Sequence, residues 1–552
     1  MKTNLIKKSK KYFLLFMSFN LLLCANPEFR GELCILACFF GLTCVWYSLE
    51  SFPLALQKKW TFTGFLAVSL FHLRWLITTD YHGCYIVVVW IILAFIIALQ
   101  YTILSLLVMN NLKNLSRFNC LILGGGWIAA EISRELIFSG FPFSSLALSL
   151  IKSPYLLQLA SVFGIYGASG LIVVLNIFFY KVLTSKDLRF LSSNALIFVF
   201  MMLFGFYRVH SQKNQQSLEK ISLALIQPGW APEDKVFLTE DHPPLSIQAQ
   251  WKHILSIISS LKEKKIDVFV LPECAVSYGF SHCYGNLDEF KKMFQDFFHH
   301  EILIDDEVKV ELNNEWVIKN LSKVLNAAII IGLDYFDFET GNVYNAAIYF
   351  PASTARSYKY FKQRLVPMGE YLPLTRLHCL AAKYGLHTFY KPGKHQIKFA
   401  TNKANILPTV CYEECFGHFF RNQVKQEVDL VVNLTNDAWF LPSKFSNEHL
   451  FLAQFRAVEN GRWIARSCNT GVTCTIDPCG KIVDQLPVYD AHQKLYQGAL
   501  VTEIPVYKLT TLYYQYGEFF VRIVALLSLV EILRKSLTRK LFIPLVNEKT
   551  SL

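Results

Sequence analysis

Apolar residues fall into two patterns along the chain, and the contrast divides it. Long, nearly uncharged runs occupy 12–25, 32–49, 60–78, 84–109, 119–138, 156–182 and 189–208, and one more covers 512–533. Crossing a hydrocarbon core of about 30 Å takes roughly 20 apolar residues, so these runs predict eight membrane helices. Between about 217 and 510 the apolar runs are short and separated by charges. There, 222–227, 266–271, 327–332, 344–350, 406–411, 428–434, 463–468 and 472–477 read as strands, while 247–264, 314–326 and 446–463 carry helical spacing. Strands interleaved with helices predict an α/β sandwich. The stretch 281–313, rich in Phe, His and acids, fits no strand pattern and reads as an insertion. The expected order is a seven-span membrane domain at 1–208, a polar linker at 209–220, an α/β domain at 221–511, a C-terminal span at 512–533 and a tail at 534–552.

Composition and charge sharpen that division. A 53% share of hydrophobic residues and a mean hydropathy of +0.32 are high for a soluble protein, and the excess sits in the long runs. The net charge of +12 does not signal nucleic acid, because the basic residues cluster beside the apolar runs instead of lining one helix among aromatics. With a cytoplasmic N-terminus, the inner loops hold Lys58, Lys59, Lys113, Arg117, Lys181, Lys186 and Arg189, and the last span is followed by Arg534, Lys535, Arg539 and Lys540. The outer loops are nearly bare apart from Arg30 and Lys152, as the positive-inside bias requires. Seven spans then place the α/β domain outside, which in a bacterium is the periplasmic side of the inner membrane. The first run, behind Lys7, Lys8, Lys10 and Lys11, also has the form of a signal peptide, and the expectation is that it stays as a span.

The 14 cysteines form no CxxC pair and no Cys/His zinc spacing, so neither a metal site nor a disulfide framework is expected. Within 119–138, Glu131 and Arg134 lie three residues apart on one helical face, where an unpaired charge is costly in lipid. They are expected to face the bundle interior as a structural pair. The functional alternative is that they line an entry for lipid headgroups near Gly140-Phe141-Pro142-Phe143.

Three strand-like runs end on chemistry. Residues 266–273 stop at Glu273, 406–411 at Cys411 followed by Tyr412, Glu413 and Glu414, and 428–437 at Asn436 and Asp437. Parallel strands open at one sheet edge, so these ends are expected to share a crevice. A free thiol is only a few per cent ionised at neutral pH and needs a base nearby. Glu273 is a candidate, and a lysine from 360–371, Tyr-Phe-Lys-Gln-Arg-Leu-Val-Pro-Met-Gly-Glu-Tyr, is a candidate to stabilise an oxyanion together with backbone N–H groups after Cys411.

Leu271-Pro272-Glu273, the segment from Lys362 to Glu370 and Val410-Cys411-Tyr412-Glu413 resemble the Glu–Lys–Cys triad of the nitrilase or carbon–nitrogen hydrolase superfamily. Taken with eight spans, Leu-Val-Pro-x-Gly-Glu-Tyr and Cys-Tyr-Glu, the chain resembles the membrane-bound N-acyltransferases of that superfamily over its whole length. Asn436-Asp437-Ala438-Trp439-Phe440 and Arg466-Ser467-x-Asn469-Thr470-Gly471 add to the likeness. The resemblance implies a nitrilase-like α-β-β-α sandwich on a membrane bundle, without a cofactor. It implies a two-step transfer in which Cys411 takes a fatty acyl chain from a phospholipid as a thioester. The N-terminal amine of the diacylglyceryl-cysteine of an apolipoprotein then receives the chain, completing lipoprotein maturation at the bilayer.

In that scheme Glu273 is the general base, Lys362 stabilises the oxyanion, Glu370 supports the lysine, and Tyr412, Glu413 and Trp439 shape the pocket. Trp230 is a weaker match to another pocket aromatic. Cys415 reads as structural, His449 and Glu459 on the helix 446–463 read as either structural or supports behind the site, and Glu414 departs from the family pattern without an assigned role. The rivals are a membrane-tethered amide hydrolase with the same triad, in which water resolves the thioester, and a non-catalytic lipid-binding module.

Overall fold

The computed structural model describes residues 2–111, 116–136, 140–213, 219–238, 242–301, 312–352, 356–372 and 389–542. Parts of three expected segments lie outside the described residues: 214–218 of the linker, 302–311 of the insertion and the tail beyond 542. Two compact units emerge, one formed by Met1–Lys213 with Thr511–Leu552 and the other by Asn214–Thr510.

The first unit is helical. Its long helices are α1 (Lys2–Leu23), α2 (Gly31–Glu50), α3 (Leu54–His72), α4 (Tyr85–Asn110), α5 (Arg117–Ser133), α6 (Ala160–Ser185) and α7 (Leu188–Lys213). Among the described residues, four helices are long and apolar enough to cross a membrane: α2, α4, α6 and the Leu188–Gln212 part of α7. The run expected as a span at 119–138 breaks early, because α5 stops at Ser133 and tightens into a 3-10 turn at Arg134–Leu136. Trp46, Phe65, Trp127, Val173, Ile177 and Tyr180 lie in one apolar core of this unit.

Glu131 and Arg134 are both buried in that unit, and the contacts described for them run to an irregular segment. Glu131 accepts from Ser145 Oγ at 2.8 Å, from the Leu146 N–H at 3.1 Å and from Trp127 Nε1 at 3.2 Å. Arg134 donates from Nη1 to the carbonyls of Ser144 (3.1 Å) and Phe143 (3.4 Å), and from Nε to Gln100 Oε1 (3.0 Å). Backbone that leaves the helix inside an apolar bundle needs such partners.

The second unit holds two six-stranded sheets. Its strands are β1 (Lys220–Gln227), β2 (Val268–Leu271), β3 (Ala328–Asp337), β4 (Asn342–Phe350), β5 (Tyr358–Phe361), β6 (Phe399–Ala400), β7 (Asn405–Val410), β8 (Leu430–Thr435), β9 (Trp463–Cys468), β10 (Cys474–Ile476), β11 (Ile482–Gln485) and β12 (Gly498–Pro505). The first sheet runs β12-β1-β2-β3-β4-β5 and the second β11-β10-β9-β8-β7-β6. At the heart of each, three neighbours are parallel: β1, β2 and β3 in one, β7, β8 and β9 in the other.

Alternation along the strands explains the layering, since every second residue faces the same way. Leu223, Leu225, Val268, Val270 and Ile330 join Ile406, Val432, Leu434 and Ala465 in one core between the sheets. The intervening Ile226, Phe269, Ile329 and Ile331 pack outward against Trp251 and Ile254 of α8 (Ile247–Ser259) and Val317 and Leu321, with Phe290 and Phe294 from α9 (Leu287–Phe298). Val317 and Leu321 belong to α10 (Asn314–Leu325), while α11 (Gly417–Val424) and α12 (Phe445–Asn460) are on the second sheet's side, α12 packing on β9 and β10.

The stretch expected as an unpatterned insertion contains α9. Phe290, Met293 and Phe294 follow the i, i+3, i+4 spacing of a helical face, and the Asn286 side chain caps its start by accepting from the Asp288 N–H. The last long helix, α13 (Phe519–Phe542), belongs to the helical unit.

Candidate active site

Strand ends deliver the chemistry. Glu273 lies two residues beyond β2, Lys362 directly after β5, Cys411 directly after β7, and Asn436 and Asp437 directly after β8. Glu273 and Lys362 are both buried, at 5% and 1% exposure, so their charges must find protein partners. Lys362 Nζ donates to Glu273 Oε1 at 3.0 Å and to Glu370 Oε1 at 2.8 Å. Asn345, in the middle of β4, gives its Nδ2 to the same two oxygens at 2.7 and 2.9 Å. The second oxygens are also held: Glu273 Oε2 accepts the Asn436 N–H at 3.0 Å, and Glu370 Oε2 accepts the Val366 N–H at 2.8 Å.

Glu273 is further fixed by backbone against backbone. A Cβ on Gly332 of β3 would lie 2.5 Å from the Cα of Glu273, closer than real atoms approach. Gly332 also bonds to the turn there, its carbonyl accepting the Ala275 N–H at 2.9 Å.

These charges set the protonation states. Burial works against the Lys362 ammonium, but Glu273 and then Glu370 outweigh it and hold the pKa well above the ordinary lysine value. Burial and then Glu273 push the Cys411 thiol well above its usual pKa, with Lys362 offsetting only part of the rise. Cys411 therefore rests as a thiol, and any reaction at its sulfur would need a base to take the proton. Cys411 also adopts a left-handed φ of 49°, as the first residue of a 3-10 turn, Cys411–Cys415.

Of the other expected pocket residues, Glu370 joins the lysine directly, and Glu413 acts one step away. Glu413 accepts from the Gln363 N–H at 2.6 Å, the Val410 N–H at 2.8 Å and the Tyr360 hydroxyl at 2.8 Å, so one carboxylate ties the loop after β5 to the end of β7. Burial raises its pKa to about 7. Tyr412 is buried with its ring edge-on to Phe416, and Trp439 is half-buried in the turn after β8. Trp230 is in the core and donates its ring N–H to the Ala275 carbonyl at 3.3 Å. Glu459 pairs with Arg456 at 3.0 Å, as expected of a structural residue.

Asn345 is a site residue that sequence reasoning missed, although an Asn inside the apolar run Val343–Phe350 was a visible signal. Glu414, unassigned from sequence, is fully buried and pairs with Arg466 at 2.8 Å and with His449 at 3.1 Å. Cys411, Asp437 and His449 bring a thiol, a carboxylate and an imidazole within 4.8 Å of one another. Both ring nitrogens already have protein partners, Nδ1 facing Asp437 Oδ1 at 3.0 Å and Nε2 facing the Cys411 carbonyl at 3.2 Å.

A double-sheet sandwich that collects an acid, an amine and a thiol at its strand ends defines a nucleophilic enzyme of the carbon–nitrogen hydrolase type. Residues 222–491 match the family described as carbon-nitrogen hydrolase, and residues 20–178 match the apolipoprotein N-acyltransferase N-terminal domain. The chain belongs to the apolipoprotein N-acyltransferase family and is an enzyme. A relative of that name from Chlamydia pneumoniae is 27% identical over 541 residues, covering 92% of this chain and 94% of the relative. Another from Rickettsia prowazekii is 29% identical over 442 residues, covering 78% of each chain. Among solved structures, Saccharomyces cerevisiae Nit3 of the nitrilase superfamily is 18% identical, with a TM-score of 0.35 over 52% of this chain and 91% of Nit3.

Proposed function

We propose that the chain transfers a fatty acyl chain from a phospholipid to the N-terminal amine of the diacylglyceryl-cysteine of an apolipoprotein, by way of a thioester on Cys411. The observation that carries this reading is the Lys362 ammonium bridging Glu273 and Glu370 beside a protonated thiol. As Cys411 Sγ forms its bond to the ester carbonyl carbon, Glu273 takes the thiol proton. The carbonyl electrons move onto oxygen, where Lys362 and backbone N–H groups after Cys411 stabilise them. Collapse breaks the ester C–O bond, and Glu273 returns the proton to the departing lysophospholipid oxygen. In the second half the acceptor amine attacks the thioester, Glu273 takes the amine proton, and the sulfur leaves and is reprotonated. Glu370 and Asn345 position the lysine and the base. Glu413, Tyr412 and Trp439 shape the surrounding pocket.

The same reading covers the membrane. Eight spans, seven before the catalytic domain at 221–511 and one at 512–533, place that domain on the periplasmic face of the bacterial inner membrane, in line with the basic inner loops. Both substrates are lipids, which explains why the catalytic domain is tethered to a bilayer.

Intact-mass measurement of the full chain in phospholipid micelles tests the reading. The protein is expected to gain one acyl chain on Cys411 and to lose it when a diacylated lipopeptide is added, with the lipopeptide becoming heavier by the same mass. Hydrolysis without any gain on the lipopeptide would favour the amide-hydrolase alternative and overturn the transfer.

A further inference from the structure

Cys411 is held in a backbone conformation that residues with a Cβ seldom adopt, so its surroundings must impose it. Two side chains grip its carbonyl from behind: His449 Nε2 at 3.2 Å and Asn433 Nδ2 at 3.4 Å. His449 sits on α12 with no exposed surface. Its Nδ1 faces Asp437 Oδ1 at 3.0 Å, and its Nε2 also faces Glu414 Oε1 at 3.1 Å. A carbonyl and two carboxylates only accept hydrogen bonds, so both ring nitrogens carry protons and the ring is an imidazolium. Burial opposes that charge, but Cys415, Asp437 and Glu414 outweigh it and hold the pKa well above the ordinary histidine value. Glu414 is fixed in turn by Arg466 Nε at 2.9 Å.

The carbonyl of Cys411 and the N–H of Tyr412 belong to one planar trans peptide and point in opposite directions. Whatever pins the carbonyl therefore aims the N–H. We propose that His449, clamped between Asp437 and Glu414, is a positioning residue that fixes the Cys411–Tyr412 peptide so that the Tyr412 N–H meets the oxyanion formed during acylation. The inference rests on the acyl-transfer reading above. Glu414 then has a place in the site as well, bracing the histidine from the side opposite Asp437, with Arg466 behind it.

The test separates two reactions of the same sulfur. Acylation by a phospholipid develops an oxyanion, whereas alkylation by iodoacetamide does not. Wild type, His449→Leu and His449→Gln are compared in detergent, following both reactions at Cys411 by mass spectrometry. In His449→Leu acylation is expected to slow by about 100-fold or more, the usual cost of losing one oxyanion donor, while alkylation stays within about threefold of wild type. His449→Gln keeps an N–H donor and is expected to recover at least tenfold of that loss. Equal losses in both reactions, or no loss in either, overturn the proposal. If the leucine variant does not fold, Glu414→Gln decides: it keeps the shape but weakens the clamp, and acylation must fall at least tenfold more than alkylation. Failure of the wild type itself to form an acyl-enzyme would instead remove the acyl-transfer reading.

Discussion

Two clusters of buried charge, one in each unit, invite comparison. In the helical unit Glu131 and Arg134 spend their hydrogen bonds on backbone groups and small polar side chains, mainly around 143–146, where each partner is a fixed neutral group. In the sheet unit Lys362 binds two carboxylates at once, and its charge and that of Glu273 reach a thiol that is still protonated. Both clusters offset much of the cost of burial with hydrogen bonds, with Arg134 Nη2 and Asn345 Oδ1 left over. What separates them is the bonding partner: the first makes its hydrogen bonds to neutral groups, while the second sets an acid, an amine and a thiol against one another. Burial of charge alone therefore does not mark a catalytic site, but coupling to a nucleophile does.

The comparison breaks most sharply at the sulfur. Cys411→Ala is expected to leave no acyl-enzyme and no transfer, by intact mass and by product assay, with the fold retained. Lys362→Ala is expected to slow acyl-enzyme formation by about 10²–10³-fold, because on the proposed mechanism it removes the oxyanion's cation, and it leaves Glu273 and Glu370 without their shared counter-charge. Neutralising the other cluster should do something different. Glu131→Leu strips three donors of their acceptor, each worth about 1–3 kcal/mol when left unpaired. It is expected to lower the thermal midpoint by several degrees while kcat of the folded fraction stays at the wild-type value. A drop in kcat with unchanged stability would assign Glu131 to the chemistry and erase the distinction.

The smallest effect is in the pH dependence. Because the Cys411 pKa is raised, its thiolate fraction, and with it the rate of iodoacetamide alkylation, is expected to keep climbing about tenfold per pH unit to pH 9, where an ordinary cysteine with a pKa of about 8.5 is already levelling off. Removing the neighbouring negative charge in Glu273→Gln favours the thiolate and should shift that rise to lower pH. Peptide mass mapping distinguishes Cys411 from the exposed Cys84 and Cys283.

Much of this site was legible because its parts end apolar runs. Glu273 and Cys411 stand where Val268–Leu271 and Asn405–Val410 stop, and a break in hydrophobicity is a local signal. Asn345 was not legible in that way. It lies inside a strand, and its two acceptors are 72 and 25 residues away along the chain. The clamp on His449 was hidden for the same reason, since Glu414, Asp437 and Cys411 meet it only once β7, β8 and α12 have packed. Helix α9 was missed despite a clear apolar face, because its surrounding His and acidic residues masked the period. The spans at 60–78 and 119–138 also ran longer in the apolar pattern than in the helices, which end at His72 and Ser133.

Gly332 carries an implication of its own. The space its missing side chain would fill is taken by the main chain of Glu273, so the reach of the proposed proton acceptor is set in the sheet itself, one strand over. One methyl group there would push the end of β2 away from the middle of β3, and reacting atoms displaced by about 1 Å commonly react about 100-fold more slowly. Tolerance of alanine at 332 thus measures how much slack this enzyme allows between sheet geometry and proton transfer.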